Sequence, residues 1–290
     1  NKDYDNNTDN YALTAVNLAG STWPILRFWD RYRMANGDWA RVEVSTDGNN
    51  WTPVYGPYGI REQWQEQIID LSPWKNQNNL RIRFHLWSDS GTTDDGWSID
   101  DLQVVEHNPV TINLPFVDSF ENGLTNWLHS SWNLDTNAPY EGNFAIRDVP
   151  GRMTPDTTYF LTLAGTLNLS NTINPQLVFW VKGQLWYRSR FRVQYSTDGG
   201  LGWLDLTGWN NDWNSDWTRV QVSLQNLTNQ TIRLRFVTWN EWGSAPSQSL
   251  WIDKIVIEEP PPPVVLDPPS DITPNSIRLT WSETTITNFK

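Results

Sequence analysis

Apolar and polar residues alternate with a period of two along much of the chain. Ala40, Val42 and Val44 alternate with Arg41, Glu43 and Ser45. Leu80, Ile82, Phe84 and Leu86 alternate with Arg81, Arg83 and His85. This is the period of a strand with one face in a core. The string Ser-Thr-Asp-Gly, at Ser45 to Gly48 and again at Ser196 to Gly199, is a turn signal between such runs. No window sustains a helical period with caps at its ends. Many short strands punctuated by turns predict an all-β chain built from antiparallel sandwiches.

The pattern also repeats. LRFW at Leu26 to Trp29 returns as LVFW at Leu177 to Trp180, and VEVSTDG at Val42 to Gly48 returns as VQYSTDG at Val193 to Gly199. Trp51 matches Trp203, Trp64 matches Trp217, LRIRF at Leu80 to Phe84 matches IRLRF at Ile232 to Phe236, and Ile99-Asp100 matches Ile252-Asp253. The landmarks keep their order and their offset, 151 residues from Trp29 to Trp180 and 153 from Ile99 to Ile252. A domain-sized period of this kind marks a tandem duplication. The expected organisation is a first repeat over 1–107, a second over 115–259, a Pro-rich linker over 260–269, and the start of a further domain over 270–290. Pro260 to Pro263 would make the linker a stiff spacer. The second repeat opens with about 35 residues, counted by the same offset, that have no counterpart in the first. A longer polypeptide is expected to supply those opening strands to the first repeat, with donation by a neighbouring subunit as the alternative.

The string FW…VEVSTDG…IDLS…LRIRF…DGWSIDDLQVV, together with DSFENGLTNW at Asp118 to Trp127 and WNLDT at Trp132 to Thr136, resembles the bacterial MAM-like jelly-roll domains. Such domains accompany secreted peptidases of the immune inhibitor A type and large surface proteins. The resemblance spans nearly all of residues 10–259. The tail, with Pro269, Ile272, Ile277, Leu279 and Trp281 at core spacing, resembles the first strands of a fibronectin type III domain. Lys254 stands where the first repeat has Asp101, a departure from the closing motif. The resemblance implies jelly-roll-like sandwiches in a modular, extracellular or cell-surface, non-catalytic segment.

Composition narrows the partners. With 21 Lys and Arg against 33 Asp and Glu the net charge is −12, which argues against nucleic acid as a ligand. No apolar run reaches membrane-spanning length, so no insertion by this segment is expected. The chain has no Cys, which excludes disulfides and thiolate chemistry. It lacks H-E-x-x-H and G-x-S-x-G, and adjacent carboxylates such as Asp94-Asp95 do not face one another across a cleft. His85, sharing a face with two Arg, reads as a solvated residue.

Two groups of residues carry the chemistry that remains. Asp100 and Asp253 fall in phase with the apolar positions of the last strand of each repeat, Leu102 and Val104, Ile255 and Ile257. A carboxylate facing inward needs a cation or several donors. Related jelly rolls hold Ca²⁺ where first and last strands meet, which would recruit Asp118 and Glu121 to Asp253 as a structural calcium site, with Asp100 left without such partners. The alternative is a carboxylate accepting hydrogen bonds from backbone or Arg. The second group is aromatic. Among the 20 Trp are recurring fold positions (Trp29, Trp180, Trp51, Trp203) and two loops carrying Trp209, Trp213 and Trp217, and Trp239 and Trp242. Tyr55, Tyr58, Trp64, Trp87 and Trp97 occupy the equivalent stretches of the first repeat. Rings amid Asn, Asp and Glu suit a protein interface or a glycan, and loop Trp also fold over sandwich ends. Five N-x-S/T sequons, at Asn6, Asn50, Asn168, Asn226 and Asn229, are candidate glycosylation sites. The expected function is a structural or adhesive segment of a surface or filament-forming protein, acting on copies of itself or neighbouring surface subunits. A carbohydrate-binding accessory region of a secreted hydrolase or peptidase is the alternative.

Overall fold

The computed structural model describes residues 3–137, 139–148, 156–183, 189–207, 215–240, 249–261, 270–273 and 276–278. The fold is all-β. Its strands are β1 (Asp9–Val16), β2 (Pro24–Arg33), β3 (Trp39–Ser45), β4 (Thr52–Tyr55), β5 (Ile60–Asp70), β6 (Leu80–Trp87), β7 (Gly96–Glu106), β8 (Thr111–Ile112), β9 (Phe116–Asp118), β10 (Trp127–His129) and β11 (Asn133–Asp135). They continue with β12 (Ala145–Arg147), β13 (Thr157–Leu163), β14 (Thr166–Asn168), β15 (Gln176–Gly183), β16 (Ser189–Ser196), β17 (Leu204–Asp205), β18 (Thr218–Ser223), β19 (Thr231–Asn240), β20 (Leu250–Glu258), β21 (Ser270–Thr273) and β22 (Ser276–Arg278). Two single 3₁₀ turns, Ser72–Trp74 and Gln225–Leu227, are the helical elements among the described residues.

The first sandwich packs a sheet of order β1-β6-β3-β4 on one of order β5-β2-β7. The second repeats that plan. There β13 pairs with β19, β19 with β16 and β16 with β17, while β15 lies between β18 and β20. The alternation seen in the sequence decides which side is buried. In β19, Ile232, Leu234 and Phe236 are at most 1% exposed and join Leu161, Phe179, Phe191 and Ile255 in the core. The first core gathers Leu26, Phe28, Val42, Val44, Ile82 and Phe84. In both Ser-Thr-Asp-Gly turns the Ser hydroxyl donates to the Asp carboxylate, at 3.0 Å for Ser45–Asp47 and 2.8 Å for Ser196–Asp198. The glycines that follow take positive φ, +80° at Gly48 and +72° at Gly199, the backbone region glycine enters without a steric penalty.

The second sandwich has more. Its sheet continues past β20, which pairs with β9 through Ile255, Val256 and Ile257 and with β12 through Ile252 and Trp251. Phe120, Trp127 and Trp132 of this added segment are all at most 1% exposed in the core. In the first sandwich β7 pairs with β2 alone among the described residues.

The two sandwiches meet over a small apolar joint. Trp23, Ile25, Ile68 and Val105 of the first pack with Leu128 and Ala164 of the second. The Arg233 guanidinium lies 3.4 Å from the centre of the Trp23 ring and donates to the Ser72 hydroxyl at 2.6 Å. Backbone groups join in: Ser131 N donates to Gln67 Oε1 at 3.0 Å, and the Tyr159 hydroxyl donates to Gly56 O at 3.2 Å.

Two residues lie deeper than their sequence pattern suggests. His85 is 8% exposed, not solvated, because Glu43 and Asp9 approach its two ring nitrogens at 3.0 and 2.6 Å. Asp30, fully buried, pairs with Arg61 and accepts from the Tyr55 hydroxyl at 2.7 Å and from Trp97 Nε1 at 3.0 Å. A buried carboxylate answered by a cation and two donors is tolerated, but stripping one partner strands the others. Asp30→Ala is therefore expected to cost about 3–5 kcal/mol of stability, read from the urea midpoint; a cost under about 1 kcal/mol would place Arg61 and Tyr55 in water instead.

Candidate functional site

Strand alternation that sends Ile232, Leu234 and Phe236 into the core sends Arg235, Val237 and Trp239 to the opposite face of β19. The flanking strands align with it. Thr158, Trp239 and Arg190 form one row across β13, β19 and β16, Phe160, Val237 and Arg192 a second, and Thr162, Arg235 and Gln194 a third. With strands ~4.8 Å apart and residues on one face ~6.8 Å apart, the grid covers roughly 10 by 14 Å. It floors an open cavity of about 310 Å³ lined by Thr158, Phe160, Arg192, Gln194, Arg235, Val237 and Trp239.

The side chains are held from behind. Arg235 lies between two rings, 4.3 Å from the centre of Phe160 and 3.9 Å from that of Trp203, and its Nε donates to Gln194 Oε1 at 2.8 Å. Arg192 pairs with Asp205 at 2.5 Å, and Gln194 Nε2 donates to the other Asp205 oxygen at 2.8 Å. The result is a shallow, ring-bearing floor edged by guanidinium, amide and carboxylate groups that sit in a fixed network. Such a face offers a flat apolar surface and fixed polar groups side by side.

Of the aromatic residues singled out from the sequence, Trp239 lines this cavity from a strand rather than a loop. Trp209, Trp213 and Trp242 lie outside the described residues. In the first sandwich Tyr55 and Tyr58 are buried, at 0% and 8% exposure, because their hydroxyls reach Asp30 and Asn36 inside the fold. Trp87 is half-buried and stacks on Trp39 with ring centres 5.7 Å apart. Trp29 and Trp64 are the exposed ones, each at 40%. Phe160, Arg192, Gln194 and Arg235 were not singled out and Trp203 was read as a fold position, although the alternation in Arg233, Arg235, Val237 and Trp239 marks that face. Asn6, Asn50, Asn226 and Asn229 are exposed, and Asn168 is half-buried with its amide donating to Asn113.

The carboxylates considered for calcium have other work. Asp253 Oδ2 accepts from Tyr140 N at 2.8 Å and Glu141 N at 3.2 Å, and its Oδ1 accepts from Lys254 N at 2.6 Å. Asp118 accepts from Phe120 N, Asn126 Nδ2 and Trp127 Nε1, at 2.8, 2.9 and 2.9 Å. Glu121 accepts from Asn143 N at 2.8 Å, Phe144 N at 2.9 Å and Asn143 Nδ2 at 3.0 Å. N–H donors of this number satisfy a carboxylate in place of a cation, and no group of three or more His, Asp or Glu among the described residues is placed to hold a metal. The carboxylates instead pin the segment that carries β9 to β12.

The phase of Asp253 also differs from its sequence reading. A bulge opposite Val178 and Trp180 places Lys254 at φ +46° and shifts the alternation, so Ile252, Ile255 and Ile257 all face the core. Asp253 is paired in register with Trp180 on the outer face and is buried there beneath the Tyr140 backbone. The first sandwich has the same bulge, with Asp101 at φ +51° donating its N–H to Asp100 at 2.8 Å, but Asp100 is exposed.

Among known proteins, this chain is 32% identical over 108 residues to Bacillopeptidase F of Bacillus subtilis, a match covering 33% of this chain and 7% of that protein. No family model matches. In structure it is similar to the tandem CBM22 modules of Xyn10C from Paenibacillus barcinonensis, at 11% identity over 83% of this chain and 80% of that one, with a TM-score of 0.36. It is also similar to the K3 cleaved adhesin domain of Lys-gingipain from Porphyromonas gingivalis, at 19% identity over 49% of this chain and 96% of that one, with a TM-score of 0.34. No helix among the described residues is long and apolar enough to cross a membrane.

Burial pushes the Asp253 carboxyl up to about 6, from an ordinary value of ~3.9. The folded chain then keeps a proton that the unfolded chain releases. That stabilisation is complete below about pH 4 and is lost as the pH rises through about 6. His129, buried and pushed down to about 4, works in the opposite direction over much of the same range. Asp253→Asn removes the first effect and leaves the second. Relative to the parent chain, its urea midpoint is expected to fall less, or rise more, between about pH 4 and 7; equal slopes would show that Asp253 does not titrate there. Chelator is expected to leave the melting temperature of the parent unchanged, and a drop would place a bound cation among these oxygens.

Proposed function

We propose that this chain is a non-catalytic, extracellular binding segment, and that the outer face of the β13-β19-β16 sheet recognises carbohydrate. The observation that carries the reading is the cavity over Phe160, Val237 and Trp239, edged by Arg192, Gln194 and Arg235. Sugars present C–H groups on one face and hydroxyls around the rim. Rings can pack on the former, and amide and guanidinium groups in a fixed network can bond the latter with little loss of freedom on binding. A volume of about 310 Å³ lies at the small end of ligand sites, ~300–1,000 Å³, and suits a short oligosaccharide. The likeness to a small part of a much longer peptidase supports an accessory role beside catalytic domains. Adhesive contact with neighbouring surface subunits is a second reading, favoured by the exposure of Trp29 and Trp64 on the other sandwich.

Screening the chain against an oligosaccharide array, followed by calorimetry on the best ligand, tests the reading. Trp239→Ala is expected to weaken binding at least about tenfold, ~1.4 kcal/mol, with the melting temperature little changed. Silence across the array, or a Trp239→Ala variant that binds as well as the parent, would overturn it.

A further inference from the structure

The three rows of the grid on the second sandwich hold Arg190, Arg192 and Arg235 and no acidic residue, on a chain whose net charge is −12. Two of these cations differ in how they are answered. Arg192 faces Asp205, which also accepts from Gln194. Arg235 is 9% exposed and forms no ion pair with a carboxylate of the described residues. Its Nε donates to Gln194 Oε1 at 2.8 Å, and its guanidinium lies against the Phe160 and Trp203 rings. Both terminal nitrogens are left without an acceptor among the described residues, on a side chain that lines the open cavity. The carboxylates that act on it from a distance, Asp70 and Asp205, are engaged elsewhere. Asp70 accepts from the Ser72 N–H and hydroxyl, and Asp205 from Arg192 and Gln194.

Burial disfavours the charged form of Arg235 and pushes it down to about 9, so it keeps its proton at neutral pH. A buried cation without a counter-ion is destabilising, because the charge has left water and met no opposite charge. A ligand carboxylate would supply that charge, and the planar fork of a guanidinium matches two carboxylate oxygens in one plane. Resting on the carbohydrate reading of this face, we propose that its ligand is an acidic oligosaccharide, with a uronic acid carboxylate on the terminal nitrogens of Arg235 and the ring of another unit on Trp239. Arg235 and Trp239 stand four residues apart on β19, ~14 Å along the strand, with Val237 between them. One sugar ring cannot reach both, so the ligand spans more than one unit. The apolar floor of Phe160, Val237 and Trp239 beside the fork favours an acid carried on a sugar ring over an acidic peptide.

Calorimetry on the 290-residue protein tests this with oligosaccharides of galacturonate, mannuronate and glucuronate, each beside its carboxyl-reduced counterpart, and with oligoglutamate. At least one acid is expected to bind about tenfold or more tightly than its reduced form. Arg235→Met is expected to bring that ratio below about threefold. Removing an unpaired buried cation is expected to keep or raise the melting temperature, so a lost preference would not report unfolding. Arg235→Lys keeps the charge without the fork; its ratio is expected to fall between the two, and it decides the matter if the Met variant does not fold. A reduced form that binds as well as its acid, or a neutral glycan that binds where no acid does, would overturn the proposal and leave the carbohydrate reading standing. No binding to acidic and neutral glycans alike would overturn both. A preference unchanged by Arg235→Met would place the carboxylate on another cation and overturn the proposal. Oligoglutamate binding as tightly as the best uronate would also overturn it and make an acidic peptide the ligand.

Discussion

Backbone N–H and C=O groups along the last strand of a sandwich need partners, and most of this architecture can be read as the way that need is met. In the second sandwich a segment of about 30 residues is given over to it. Three carboxylates, Asp118, Glu121 and Asp253, each collect N–H donors that hold this segment in place. Its rings and apolar side chains then complete the core through Phe120, Trp127 and Trp132. In the first sandwich the same strand, with the same bulge and the same leading Asp, pairs with β2 alone among the described residues. The contrast lies in covering, since the strands beneath are laid out alike.

The period-two alternation made the strands legible, and the ordered landmarks made the duplication legible, because both depend on local side-chain placement. The bulge was not legible. One residue in a left-handed conformation at Lys254 reverses the phase of everything before it, and Lys carries no signal for that backbone region. Asp253 was therefore read as facing the core when it faces outward and is buried by another segment. Tyr55 illustrates a second limit. Its neighbours Gly56, Pro57 and Gly59 read as loop, yet the ring is buried because Asp30, 25 residues earlier, accepts its hydroxyl. Long-range polar pairs of this kind leave no local trace in a sequence. The face around Trp239 lay between these extremes: the alternation of Arg233, Arg235, Val237 and Trp239 was visible, but which rings flank Arg235 depended on the fold bringing Phe160 and Trp203 beside it.

The joint between the sandwiches draws on residues that have no reason to be apolar in an isolated domain. Trp23, just before β2, and Ile25, near its start, lie outside the first core and are buried in the cluster that Leu128 and Ala164 join. Arg233, which in a free second sandwich would stand on an open sheet face, lies over the Trp23 ring and bonds Ser72. Each copy thus carries side chains suited to the other, so the two have diverged from simple duplicates into halves of one body.

That joint has a consequence for valency. A flexible tether between two binding modules lets each find its ligand separately and dilutes the second encounter over the volume the tether sweeps. Here apolar packing and hydrogen bonds hold the two sandwiches together, so the grid on the second and the exposed Trp29 and Trp64 on the first are carried at one spacing and one angle. Two weak attachments on a matching surface would reinforce each other strongly, while targets at any other spacing would be held by only one.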